Sequence, residues 1–272
     1  MICVIGDAHL DVVVRLSGPL TEETETEETD TPAATSVGVG GQGANVAAWV
    51  AALGGRSRLI AARGTDLGAD LVSAELARRG VDLVGPVVPG GTGVVVSLSD
   101  GGRRRSMLTD RGVGAELRPA EIRPEWLAGC DWLHVSAYAF AREPMRGAAL
   151  AAVRAARSGS ARVSVDLAST AMIESVGVAD FGELIAAVRP DAVFGNGAEA
   201  ALLDGMLAAD RLIVKLGAAG VRAGGTWYAA LPTVPVDATG AGDAFAAGYL
   251  VGGVELGLAA AARAVAKMGA MP

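Results

Sequence analysis

The segment of this chain richest in chemistry is VDATGAGDAFAAGYL, residues 236–250. Gly240, Ala241 and Gly242 lead into Asp243, and an apolar helical pattern begins there. Glycine lets the backbone turn sharply and come close to a ligand. The first N–H groups of a helix lack intrahelical partners and sit at the positive end of its dipole. Such a turn makes a hole for the negative charge that spreads over a phosphoryl group in transfer. A carboxylate on the same turn, Asp243, can take the proton of an attacking hydroxyl. The same residues also fit a plainer role, a tight loop with Asp243 as helix N-cap.

A second segment, GVGGQGANVA at 38–47, supports two chemistries. Gly38, Gly40 and Gly43 satisfy G-x-G-x-x-G, with Asp66 further on, the pattern of a dinucleotide-binding turn. That pattern needs a preceding strand of the parallel sheet. Here the first strand, 1–6, is separated from the glycines by an acidic stretch. The alternative is a helix start that approaches a small polyol, with Asn45 offering an amide donor and acceptor to its hydroxyls.

The elements that must position these groups follow an α/β rhythm. Strands are expected at 1–6, 12–14, 36–39, 58–62, 81–88, 93–98 and 104–108, and helices at 44–53 and 67–79. The strands from 81 to 108, joined by glycine turns, read as a small sheet inserted into the body. From 119 onward strand and helix alternate. Strands fall at 132–135, 162–165, 192–194 and 211–215, helices at 145–157, 181–188 and 198–207. Two Ala-rich helices, broken at Gly252–Gly253, close the chain. Such alternation implies right-handed crossovers and a mostly parallel sheet covered on both faces. Ligands then bind outside the carboxyl ends of its strands.

Bulk properties exclude several classes. A net charge of −7 argues against a general binder of nucleic acid or anionic membranes. No apolar run reaches the ~18 residues of a membrane helix, and the start lacks the basic region of a secretory signal, so a cytoplasmic location is expected. Cys3 and Cys130 show no metal or redox spacing and read as buried or free thiols. His9 and His134 are the only histidines, so no zinc site is expected. His134 reads as a satisfied sheet residue. The stretch 21–32, TEETETEETDTP, has no apolar face to bury and reads as a solvated loop. Arg103, Arg104 and Arg105 read as an exposed hairpin charge run.

Gly-Gly-Gln-Gly-Ala-Asn at 40–45 and Asp-Ala-Thr-Gly-Ala-Gly-Asp at 237–243 resemble, in order and separation, the two signature regions of ribokinase-like, or PfkB-type, carbohydrate kinases. The resemblance covers essentially the whole chain. It implies a single domain over 1–272, a three-layer α/β/α fold with a small β-sheet lid, here at about 12–37 and 86–112. It implies ATP and Mg²⁺, and a monovalent cation such as K⁺. Asp243 would be the catalytic base, with Gly240, Ala241 and Gly242 forming the anion hole. Asp11, Gly41, Gln42 and Asn45 would hold the sugar, and Arg111 would pair a carboxylate of a sugar-acid substrate. Asn196, Lys215, Gly217, Gly220 and Asp237 would lie on the nucleotide side, with Glu199 organising Mg²⁺ through water. Gln42 stands where the family often has Lys, Ala238 where Thr is usual, and Asp166-Leu-Ala-Ser where many members carry Asp-Pro-Asn. The 207–211 stretch and the chain after Lys215 are short, which implies trimmed adenine loops. The partners expected are a sugar-like molecule and a second copy through the lid, whose Val94, Val96 and Leu98 need cover. The rival readings are an NAD-dependent oxidoreductase using the 38–43 glycines and a catalytically silent sensor.

Overall fold

Runs of small aliphatic residues between glycine turns build one large sheet. The computed structural model describes residues 1–18, 31–99, 105–208 and 211–272. Among these residues the large sheet holds nine strands. They are β1 (Ile2–Ile5), β4 (Ser57–Ile60), β5 (Val81–Val84), β8 (Trp132–Ser136), β9 (Arg162–Asp166), β10 (Ala192–Asn196), β11 (Leu212–Lys215), β12 (Val221–Ala223) and β13 (Thr226–Tyr228). Their order is β13-β12-β11-β10-β9-β8-β1-β4-β5. Every pairing from β11 across to β5 is parallel, and β12 and β13 add an antiparallel hairpin at the edge. A second sheet, β3-β2-β6-β7, contains β2 (His9–Leu16), β3 (Ala33–Gly40), β6 (Thr92–Ser99) and β7 (Arg105–Gly112).

Side chains alternate across each strand, so a sheet of this kind needs cover on both faces. Ile5, Leu133, Val135 and Val163 point into one buried layer with α3 (Met145–Ser158), α4 (Thr170–Val176) and α5 (Val178–Val188). Val4, Leu59, Phe194 and Ile213 point into the other, with α1 (Gln42–Ala52), α2 (Leu67–Arg78), α7 (Ala241–Gly252) and α8 (Val254–Val265). A short helix, α6 (Gly197–Leu202), follows β10 directly. The result is a three-layer α/β/α body carrying a small sheet, as expected. The few aromatics are spent where they position the site. Phe194 of β10 packs edge-on against Phe245 and Tyr249 of α7, with ring centroids 6.3 and 5.3 Å away. That contact pins the first turns of α7 over the sheet.

Several expected boundaries move. The run 81–88 is not part of the small sheet. Its first half is β5, the edge of the large sheet beside β4, because Val81 and Leu83 pair in register with Ser57 and Leu59. The small-sheet segment expected from 86 therefore starts at 92, and the one expected from 12 starts at 9. Residues 9–11, outside the expected lid segments, belong to β2. The helix expected over 198–207 stops at Leu202. Helix α4 and the β12–β13 hairpin, which turns on Gly224 and Gly225, both at positive φ, were not anticipated. Most of the acidic stretch 21–32 and Arg103–Arg104 lie outside the described residues. No helix among the described residues is long and apolar enough to cross a membrane.

Strand order reverses between β1 and β8. The chain runs outward from β1 to β5 on one side and from β8 to β11 on the other. A crevice outside the carboxyl ends of the strands at such a reversal is the place where open α/β sheets bind ligands.

Candidate active site

A cleft of about 1030 Å³ occupies that crevice. Period-two alternation gives the small sheet a polar face. His9, Asp11 and Arg15 of β2, Ser97 of β6 and Thr109 and Arg111 of β7 all line the cleft from this side. Its floor is made by Asp7 just after β1, by Gly41, Gln42 and Asn45 at the start of α1, and by Gly240 and Asp243 at the start of α7. The two sequence signatures, almost two hundred residues apart, thus meet.

Gly240 takes φ 76, the left-handed region, and a Cβ there would lie 2.6 Å from the Cα of Ala270. Only glycine fits. The turn is closed by the Ala241 N–H, which donates to the Ala238 carbonyl at 3.2 Å. Ala241 was expected among the anion-hole donors. Its N–H is engaged in the turn, and Gly242 and Asp243 are left as the donors of the first turn. Asp243 accepts a hydrogen bond from Asn45 Nδ2 at 2.8 Å, which ties the two signatures together. The other end of that amide, Asn45 Oδ1, is buried without a partner in the structure. A buried acceptor without a donor invites a ligand hydroxyl.

Burial is the main cause that pushes the Asp243 carboxyl up, to about 7, and the nearby charge of Asp166 adds to it. The Asn45 hydrogen bond and Lys215 oppose the rise, and Asp7 adds a little more. Asp243 keeps a partly exposed edge toward the cleft. Water in the cleft therefore softens the effect.

Beneath the turn lies an ion pair. Lys215 Nζ meets Asp166 Oδ2 at 2.7 Å, with the two side chains 19% and 1% exposed. These residues end neighbouring parts of the sheet: Asp166 pairs in register with Ser136, and Lys215 with Asn196. Burial works against the Lys215 charge, but Asp166, Asp243 and Glu199 outweigh it and hold its proton more firmly than usual. A Cβ placed on Gly242 would lie 3.1 Å from Lys215 Nζ, so the ammonium sits directly behind the glycine turn.

At the sugar end, Gly41 takes φ 104, and a Cβ there would lie 2.6 Å from the Asp7 carbonyl. Gln42 Oε1 accepts from Ser136 Oγ, which fixes it against β8. Arg111 was expected to meet a substrate carboxylate. It meets Asp7 Oδ2 at 2.6 Å instead and lies over the Tyr138 ring, 4.1 Å from its centroid. Asp7 also accepts the Gly43 N–H at 3.3 Å. His9 bridges the two acids, with Nε2 3.1 Å from Asp11 Oδ1 and Nδ1 3.6 Å from Asp7 Oδ2. Asp11 keeps a 35% exposed side chain facing the cleft.

The nucleotide-side residues form a second group. Asp237 lines the cleft and holds its loop by accepting from Thr239 N–H at 2.9 Å and Gly269 N–H at 3.1 Å. Asn196 caps α6, and its amide Nδ2 donates to Glu199 Oε1 at 2.8 Å. Glu199 is buried, which raises its proton affinity. Gly217 and Gly220 belong to the turn after β11 and are not among the residues that line the cleft. His134 does not line the cleft. Its Nδ1 meets Ser164 Oγ at 2.9 Å, burial holds it down at about 4, and its Nε2 has no partner, so it is only half satisfied.

The dinucleotide reading does not survive. Gly38 and Gly40 lie inside β3 at the edge of the small sheet, not after a strand of the parallel one. Asp66 caps α2, accepting from Ala69 N–H at 3.1 Å. Sequence reasoning missed Asp7, His9, Asp166, Tyr138 and the tail at 268–270. Asp7 and Asp166 carried a usable signal, since each stands at the carboxyl end of a strand.

The model for the pfkB family carbohydrate kinase matches residues 1–271. The ATP-dependent ribose-1-phosphate kinase of Halopiger xanaduensis is 34% identical over 78% of this chain and 72% of its own length. The fructokinase of Salmonella typhimurium is 30% identical over 91% of this chain and 82% of its own. A putative ribokinase II from Escherichia coli, solved with ATP and Mg²⁺, superimposes with a TM-score of 0.79 at 21% identity, covering 99% of this chain and 94% of that one. A glycine turn backed by a lysine, a buried carboxylate at its end and a polar cleft opposite suit one reaction, and the relatives agree: this chain belongs to the pfkB family of carbohydrate kinases, which transfer phosphate from ATP to sugars.

Proposed function

We propose that the chain transfers the γ-phosphoryl group of ATP to a primary hydroxyl of a sugar-like acceptor, with Asp243 as general base. The observation that carries this is Asp243 itself. It stands at the first turn of α7, tied to Asn45 at 2.8 Å, with a proton affinity near neutrality. A base matched to the working pH is the most effective one. Asp11 and Asn45 orient the acceptor, Gln42 and Gly41 shape the turn beneath it, and the 240–243 turn faces the transferring group. Lys215 adds positive charge behind that turn. Asn196, Gly217, Gly220 and Asp237 flank the triphosphate.

Mg²⁺ supplies charge neutralisation on the triphosphate. No cluster of three or more acids, histidines or cysteines among the described residues could ligate a metal directly. That fits a magnesium ion carried by phosphates and waters, with Glu199 acting through water. A monovalent cation such as K⁺ belongs to the same reading. In this reading the small sheet is a lid on a single kinase unit spanning 1–272, and it keeps water away from ATP.

The pH dependence follows in sign. Only ionised Asp243 can accept a proton, so kcat/KM should rise as pH increases through about 7. Stability moves the other way. Folding raises this carboxyl from 3.8 to about 7, so it favours the fold most below 3.8 and loses that contribution as pH rises toward 7. Melting temperatures of wild type and Asp243→Asn from pH 4 to 8 check this. The variant should gain on the wild type across the interval, and parallel curves would contradict it.

The outer face of the lid supports a homodimer. Val37, Val12, Val96 and Leu108 form one cross-strand row, flanked by Val94 and Leu98, with Val37 60% and Leu108 56% exposed. A continuous apolar face of this kind needs cover. Sedimentation at micromolar concentration should give a dimer that Val96→Asp dissociates. A monomeric wild type would remove the assignment.

A Mg-ATP shift in melting temperature tests the nucleotide. Mg-ATP should stabilise the fold by mass action and NAD should not, and the opposite result would contradict the proposal.

A further inference from the structure

The cleft has a side room that a monosaccharide does not use. A pocket of about 260 Å³ opens from it past Asp7, His9, Arg111 and Tyr138, which line both spaces. The groups suited to a sugar ring, Asp11, Asn45 and Asp243, line the main cleft and not this pocket. The pocket's own walls are mostly apolar: Ala115, Ala139, Ala141, Met145 and Met172. Its added polar groups are Arg142 and Ser175.

These walls decide among three kinds of substituent. A further hydroxylated ring would set its hydroxyls against methionine and alanine, where they lose hydrogen bonds to water and gain few. A phosphate or carboxylate would be stripped of water beside the same side chains. Of the two arginines that line the pocket, Arg111 is already held by Asp7 at 2.6 Å, which leaves Arg142 to meet the anion's whole charge. A flat heterocycle suits the space. Its faces can pack on Met145 and Met172, whose thioethers make favourable contacts with aromatic rings. Its polar edge can reach Arg142 and Ser175. Mostly apolar walls with a few placed polar groups are the usual make-up of a site for such a ring.

We infer that the acceptor is a nucleoside, with its ribose in the main cleft and its base in this side pocket. The inference rests on the kinase reading given above. In a nucleoside the base leaves C1′ and the 5′-CH₂OH leaves C4′, on either side of the ring oxygen and on the same face of the ribose. A base in the side pocket leaves the ribose and its 5′-hydroxyl in the main cleft, which Asp243 lines. The 5′-oxygen forms the new bond to the γ-phosphorus as the bond from that phosphorus to the β–γ bridging oxygen breaks. ADP leaves, and the hydroxyl proton passes to Asp243.

The test compares uridine and adenosine with ribose, fructose and ribose 1-phosphate as acceptors for the full chain with Mg-ATP. At least one nucleoside should exceed every free or phosphorylated sugar in kcat/KM by roughly 100-fold, the discrimination a filled apolar pocket can give. Met172→Trp, which fills the pocket, should raise the KM for that nucleoside about 10-fold or more. Ser175→Phe, at an exposed position on the pocket wall, should do the same if the first variant folds poorly. The melting temperature shift given by Mg-ATP reports that each variant is folded. A sugar that matches or beats both nucleosides overturns the inference and leaves the kinase reading standing. A nucleoside KM unmoved in both folded variants also overturns it. Failure to phosphorylate any of the five overturns both.

Discussion

Asp243→Asn is expected to lower turnover by roughly 10²–10⁴-fold while ATP and acceptor still bind, the usual share of general acid–base catalysis. Asparagine has the size of aspartate and can still accept the Asn45 hydrogen bond through its Oδ1. It cannot take a proton. Structure and rate therefore separate in this one substitution. The helix cap is Gly240, with Asp243 inside the first turn, so if Asp243 served only to hold the Asn45 amide the rate would not move much. The structure adds a second signature. The rise of kcat/KM through about pH 7 is assigned to Asp243, whose buried carboxyl is pushed to that value. It should vanish in the variant along with the rate. A variant that retains the same pH profile at a reduced rate would point to another base.

The next largest effect is expected in stability. Lys215→Met leaves Asp166 charged, 1% exposed and without its cation. Removing one partner of a buried pair costs about 3–5 kcal/mol, far more than a surface pair is worth. Asp166 keeps only weak compensation, an Ala168 N–H at 3.2 Å. The loss should appear as a lower midpoint in urea with an unchanged slope. Replacing both members, Asp166→Asn with Lys215→Met, should recover much of it, because no unpaired charge remains. A single variant as stable as the wild type would show that the pair is solvated and that the ammonium is not fixed behind Gly242.

The fold was legible because two periodicities were clear. Strand and helix alternate from 119 onward, and both glycine turns precede apolar helices. The signatures at 40–45 and 237–243 named the start of α1 and of α7, and the structure joins them through Asn45 and Asp243. What the sequence hid was pairing. The run 81–88 looks the same whether it joins a small sheet or the edge of a large one, since only its partner strand, β4, decides. Asp7 and Arg111 are more than a hundred residues apart, and no local pattern announces an ion pair between them. Asp166 and Lys215, 49 residues apart, likewise give no local sign of their pairing. The end of α6 was missed because an alanine-rich sequence fits a longer helix, while the capping box of Asn196 and Glu199 was within reach at its start. Ala241 was read as a donor because a glycine-rich turn seldom reveals which of its N–H groups close the turn itself.

The most direct test of the central claim is to follow the phosphorus. Wild-type protein, Mg-ATP and the acceptor panel are observed together by ³¹P NMR. The account predicts a phosphomonoester signal that grows in step with ADP for at least one acceptor, and no such growth with Asp243→Asn on the same time scale. ATP that stays intact with every acceptor, while melting shifts show that ATP and an acceptor both bind, would contradict it and leave a ligand sensor built on a kinase fold.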